Sequence, residues 1–129
     1  MQEKIDKLKL LKLLFVEDEE DLIDIISDTL TKLQANFLTA KNGEEALDII
    51  NKNPDIDVLI TDINMPVMNG LTLINKLNEQ GFNKPIIIMS AHTEIDYINK
   101  AKEYGIDNYL LKPFDFIKFI DLVTSLEAK

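Results

Sequence analysis

A chain of 129 residues with 46% hydrophobic side chains is sized for one domain with a real core. Its 14 basic and 23 acidic side chains give a net charge of −9, which repels phosphate backbones and argues against direct contact with nucleic acid. There is no cysteine for a disulfide, a thiolate zinc site or a thiol nucleophile, and no apolar run nears the ~20 residues of a membrane span, so a cytoplasmic protein without membrane insertion is expected.

Residues 1–8 mix charged and apolar groups without a strong period and read as a short N-terminal extension or fraying turn. Lys9 and Lys12 interrupt any signal-peptide apolar core. Residues 10–16 form a first strand, apolar except for Lys12, and it runs into Glu17-Asp18. Residues 19–34 carry Leu22, Ile26, Leu30 and Leu33 at spacings of four, four and three, the stripe of an amphipathic helix. Acids at 17–21 suit the positive end of its dipole. Residues 37–40 are a second strand. Asn42 with Glu45 three residues on resembles a capping box and opens a helix over 43–53, stopped by Pro54.

Residues 57–61 are a third strand, suited by its apolar run to burial on both faces, and Asp62 follows at its end. Pro66 then forbids further strand, and Asn69-Gly70 signals a turn before a helix over 71–80 that Gly81 closes in a left-handed conformation. Residues 85–89 form a fourth strand ending at Ser90-Ala91. Thr93 is expected to cap a helix reaching Tyr104, with Gly105 beyond it. Residues 108–111 are the fifth strand, ending at Lys112-Pro113, and Asp115 caps a last helix over 116–127.

Strand followed by helix, five times, with strands apolar throughout, defines an α/β domain: a doubly wound parallel sheet with helices on both faces. In such a sheet all carboxyl ends of strands share one edge, where ligands bind. That edge collects Glu17 and Asp18, Asp62, Ser90 and Lys112. Three carboxylates in one crevice repel, a like-charged pair at ~4 Å costing on the order of 4 kcal/mol. An oxygen-only set without cysteine or histidine suits a hard divalent cation, and a carboxylate pair beside a phosphate is the pattern of Mg2+. With Lys112 as fixed cation and Ser90 as hydroxyl, the set suits transfer of a phosphoryl group onto Asp62.

The motifs FVEDEE, LITDINMPVMNG, IIIMSA and YLLKPF, in this order, resemble the receiver domain of two-component response regulators over residues 9 to about 126. The resemblance divides the chain into an extension (1–8) and a receiver domain (9–129). It implies a flavodoxin-like five-stranded sheet of order 2-1-3-4-5 flanked by five helices. It makes Asp62 the phosphoacceptor and Lys112 the phosphate-binding lysine. Glu17, Asp18 and the backbone carbonyl of Asn64 join Asp62 as Mg2+ ligands. Ser90 becomes the switch hydroxyl and Tyr109 the switch aromatic. Glu17 stands where aspartate is commoner, which leaves open whether it meets the ion directly or through water. A cis bond between Lys112 and Pro113 is also implied.

The resemblance further implies a donor, either a histidine kinase or a histidine phosphotransfer protein. The chain would catalyse only its own aspartyl phosphorylation and dephosphorylation. The signal would leave through the fourth helix, fifth strand and fifth helix, roughly residues 95–125, toward a downstream partner, an output domain or a second copy. Ile95, Tyr97, Ile106, Tyr109 and Phe119 give that stretch apolar bulk, although Ile106 and Phe119 suit a core equally well. Two other classes fit less well. A receiver-like interaction module needs no phosphorylation chemistry, and a hydrolase with an aspartate nucleophile usually carries a second aspartate where this chain has Asn64.

Overall fold

The structure, a computed structural model, describes residues 1–91, 95–106, 108–112 and 115–126. Its elements in order are α1 (Gln2–Lys9), β1 (Lys12–Val16), α2 (Glu20–Lys32), β2 (Asn36–Ala40), α3 (Gly43–Lys52), β3 (Val58–Asp62), α4 (Gly70–Glu79), β4 (Ile86–Ala91), α5 (Ile95–Glu103), β5 (Asn108–Lys112) and α6 (Phe116–Ser125). The five strands pair in parallel in the order β2-β1-β3-β4-β5. The expected sheet is therefore present, and the described residues form six helices rather than five.

Successive strand residues face opposite sides, so each central strand feeds two cores. Leu14, Val16, Leu59, Ile86 and Ile88 pack with Ala46 and Ile50 of α3, Leu73, Ile74 and Leu77 of α4 and Ala101 of α5. Leu13, Phe15, Val58, Ile60, Ile87 and Met89 pack on the other face with Leu8 of α1, Ile26 and Leu30 of α2, and Phe119, Ile120 and Val123 of α6. Burial on both faces explains why β1, β3 and β4 read as unbroken apolar runs. Lys12 is the exception, and it lies where β1 begins. Its N–H donates to Asp57 Oδ2 at 2.8 Å, its carbonyl accepts from Asp57 N–H at 2.8 Å, and its ammonium reaches Asp55 at 3.1 Å.

The N-terminal segment is a correction. Residues 2–9 are helical, not a fraying extension. A helix of eight residues is marginal alone, so its order comes from tertiary contacts. Leu8 is fully buried in the core that contains Phe119 and Val123, and Lys4 pairs with Asp121 of α6. Leu10, expected to open β1, is instead the C-cap of α1 and 83% exposed.

The first amphipathic helix also stops earlier than its stripe suggests. α2 ends at Lys32, and Gln34 adopts φ 59°, while Ala35 N–H donates to Leu30 C=O at 2.9 Å. That is a Schellman ending with glutamine where glycine is usual. Gln34→Gly is expected to stabilise the fold by about 1 kcal/mol, because a side chain in this conformation costs roughly 1–2 kcal/mol. Urea unfolding would show a higher midpoint, and a lower one would contradict the assignment of strain to Gln34. Gly81 and Gly105 make the same ending without that cost, at φ 79° and 84°. The caps expected at Asn42 and Asp115 are present. Asn42 accepts from Glu45 N–H at 2.9 Å, and Asp115 from Lys118 N–H at 2.7 Å. Thr93 and the Lys112–Pro113 bond lie outside the described residues.

Candidate functional site

Strand alternation puts Asp62 on the same side as Val58 and Ile60, and Lys112 on the same side as Leu110. Glu17, just past β1, continues the Leu13–Phe15 side. All three therefore point to the α1, α2 and α6 face at the carboxyl edge. β1 and β3 are paired neighbours, which sets Glu17 beside Asp62. The lysine reaches across from β5, two strands away from β3.

The contacts are direct. Lys112 Nζ donates to Glu17 Oε2 at 2.7 Å and to Asp62 Oδ2 at 3.1 Å. Asp62 Oδ1 accepts from Ile63 N–H at 2.8 Å, and Glu17 Oε1 accepts from Glu19 N–H at 3.3 Å. Glu17 is fully buried and Asp62 5% exposed, whereas Asp18 faces solvent. Carboxylate oxygens of Glu17, Asp18 and Asp62 all lie within 4.8 Å of one another.

Burial dominates the electrostatics. It pushes the Glu17 carboxyl up from its ordinary 4.5 to about 7, with the lysine hydrogen bond opposing and the Asp62 charge adding. Burial also raises Asp62, and Lys112 offsets only part of that rise. For Lys112 burial pulls downward, but the Glu17 hydrogen bond and the two carboxylate charges outweigh it and raise the ammonium pKa. Among the described residues one ammonium faces three carboxylates, which leaves the crevice short of positive charge. A hard cation fits that deficit, and Glu17, Asp18 and Asp62 are the side chains placed to hold it.

Ser90 is buried in β4, one residue beyond Met89, the register partner of Asp62, and it pairs with Leu111 next to Lys112. Tyr109 is 43% exposed on β5. Asn64 lies exposed in the loop after β3. Of the apolar residues expected on the face of α5, β5 and α6, Phe119 is fully buried and Ile106 packs against the core, so neither is available for docking. Phe119 instead packs on Phe15, ring centroids 5.3 Å apart. Tyr104 at 40% and Ile117 at 61% are exposed there and were not singled out by periodicity. The side chains of Ile95 and Tyr97 are outside the described set.

In the sequence Gly70 reads as turn punctuation, and in the structure it has a different role. It is the first residue of α4, and a Cβ there would lie 2.3 Å from the Asp62 carbonyl oxygen. Its N–H donates to Ile63 C=O at 2.8 Å. Glycine at a first helical position, where better helix formers are available, was the signal for such a close approach.

A doubly wound parallel sheet of this order, carrying paired acids, an aspartate and a lysine at its carboxyl edge, defines the receiver class of signalling domain. The chain belongs to that family, response regulator receiver domain, which it matches over residues 13–124. It is 42% identical over 107 residues to a chemotaxis protein CheY homolog of Campylobacter jejuni, covering 81% of this chain and 82% of that protein. Among solved structures it resembles Vibrio cholerae CheY4, with 28% identity, a TM-score of 0.82, and 91% and 98% of the two chains covered. It also resembles a chain in the CheX-CheY-BeF3-Mg2+ complex of Borrelia burgdorferi, with 28% identity, a TM-score of 0.80, and 89% and 87% covered.

Proposed function

We propose that this chain is a cytoplasmic phosphoacceptor, taking a phosphoryl group onto Asp62 from a histidine kinase or a histidine phosphotransfer protein. The observation that carries this reading is the bridge from Lys112 to Asp62 and Glu17 at the sheet edge. An Asp62 carboxylate oxygen attacks phosphorus, the phosphorus–nitrogen bond of the donor breaks, and its electron pair leaves with the imidazole. Lys112, freed from Asp62 Oδ2, turns to the phosphoryl oxygens and offsets their charge. The Ile63 N–H holds the other carboxylate oxygen and so orients the attacking one. Asp18, Asp62, Glu17 and the carbonyl of Asn64 would hold Mg2+, which when bound supplies charge stabilisation for the transferring oxygens. The only reactions catalysed are the chain's own phosphorylation and dephosphorylation.

Phosphorylation then adds acceptor oxygens within reach of the Ser90 and Lys112 positions. Ser90 moves toward them and Tyr109 rotates inward, remodelling the face of α5, β5 and α6. Exposed Tyr104, Tyr109 and Ile117 support that face as the docking site for a downstream partner, an output domain or a second copy. The Borrelia CheY relative is found with BeF3, Mg2+ and CheX, in keeping with this reading.

The test is incubation with Mg2+ and acetyl phosphate, followed by mass spectrometry. The expected result is one acid-stable, base-labile phosphoryl group on the wild-type chain and none on Asp62→Asn. A wild-type chain that gains nothing at any donor concentration would instead be an interaction module. Full labelling of Asp62→Asn at another residue would refute the assignment.

A further inference from the structure

The loop between β3 and α4 carries the strained residue of the site. Val67 sits at φ 68° and is 74% exposed, and Met68 N–H donates to Pro66 C=O at 2.7 Å, closing a γ-turn around it. A β-branched residue at positive φ is an outlier that persists only when its surroundings hold it. One hold is Gly70, whose N–H donates to Ile63 C=O at 2.8 Å. The second comes from another part of the chain. Gly43, the first residue of α3, donates its N–H to Met68 C=O at 2.9 Å.

Gly43 has a spare donor because the first amides of a helix lack intrahelical partners. Asn42 satisfies the amide of Glu45, at 2.9 Å, and the amide of Gly43 is left to reach the loop. Only glycine allows this approach. A Cβ on Gly43 would stand 2.7 Å from the Met68 carbonyl oxygen, 2.8 Å from its Cγ and 3.0 Å from its Sδ. Gly43 does not belong to the positive-φ residues of the fold, so close approach rather than backbone conformation explains the glycine.

We infer that Gly43 is a positioning residue for the phosphoacceptor loop. Through Met68 it pins the segment that contains the Ile63 N–H, which orients Asp62, and the Asn64 carbonyl. The helix supplying this hold packs on the sheet face opposite to Glu17, Asp62 and Lys112. The inference rests on the reading of the crevice as a Mg2+ site.

The experiment is a Mg2+ titration followed by the backbone amide resonances of Ile63 and Asn64. Gly43→Ala is expected to raise the Mg2+ concentration at half-saturation on the order of tenfold, the usual scale for losing a group that positions metal ligands. A glycine with a merely structural role would lower the melting temperature of the metal-free protein and leave that midpoint within twofold, which would overturn the inference. Should Gly43→Ala fail to fold, the wild-type chain decides. Its Gly43 amide resonance is expected to move with the same Mg2+ midpoint as that of Ile63, and a fixed Gly43 resonance would overturn the inference. If Ile63 itself does not respond to Mg2+, the metal reading fails first and takes the inference with it.

Discussion

Gly70→Ala is expected to destabilise the fold by about 2–3 kcal/mol and to slow phosphoryl uptake at Asp62 by an order of magnitude or more. Helix propensity alone predicts the opposite sign, since alanine is better than glycine by about 1 kcal/mol within a helix. Geometry decides between them. The added Cβ meets the Asp62 carbonyl oxygen at 2.3 Å, Ile63 Cα at 3.0 Å and the Asp62 carbonyl carbon at 3.2 Å. All three are backbone atoms of the strand end, so no rotamer change relieves the overlap. Either α4 retreats, stretching the 2.8 Å bond from Gly70 N–H to Ile63 C=O, or the peptide after Asp62 tilts. Tilting also moves the Ile63 N–H that holds Asp62 Oδ1. Urea unfolding and the rate of labelling by acetyl phosphate measure the two effects separately. A variant as stable as the wild type would show that the helix gives way without cost.

Much of this site was legible in the sequence because buried parallel strands write themselves as unbroken apolar runs. LLFV and VLIT leave little doubt about β1 and β3, and each run stops at an acid. Once parallel order is granted, the acids and Lys112 must share an edge, and the structure brings Glu17, Asp18, Asp62 and Lys112 together there. What the sequence did not show depends on contacts distant along the chain. α1 has too few apolar residues to announce itself and is ordered by Leu8 and the Lys4–Asp121 pair. Gln34 gave no glycine signal for its left-handed turn. Phe119 lies on an amphipathic helix whose burial depends on Phe15, more than a hundred residues earlier. A glycine at the first position of a helix signals that something approaches closely, but what approaches Gly43 and Gly70 belongs to another segment, and no local pattern names it. Nor did spacing reveal that Lys112 approaches Glu17 more closely than Asp62, at 2.7 Å against 3.1 Å.

That shared lysine leads to the second large effect. In the metal-free protein, Glu17 titrates near 7 when folded against 4.5 ordinarily, so the folded state binds more protons between those values. The stability linked to this proton is fully present below about pH 4.5 and is lost as pH rises through about 7. Asp62, also raised, acts with the same sign. Lys112 is raised too, so its contribution is present below 10.5 and is lost only as pH rises through its folded value. At pH 8 the ammonium is therefore the crevice's own counter-charge. Lys112→Met keeps the side-chain stem and removes that charge. Removing one partner of a buried pair costs on the order of 3–5 kcal/mol, and that loss is expected at pH 8. At pH 5 Glu17, which titrates near 7, holds a proton instead and one buried negative charge is gone, so the loss should shrink to about 1 kcal/mol or less. Mg2+ should recover part of the stability at pH 8, since it replaces the missing charge. Urea unfolding at both pH values, with and without Mg2+, tests all three expectations. An equal loss at pH 5 and pH 8 would mean that Lys112 acts through packing of its stem rather than through its charge.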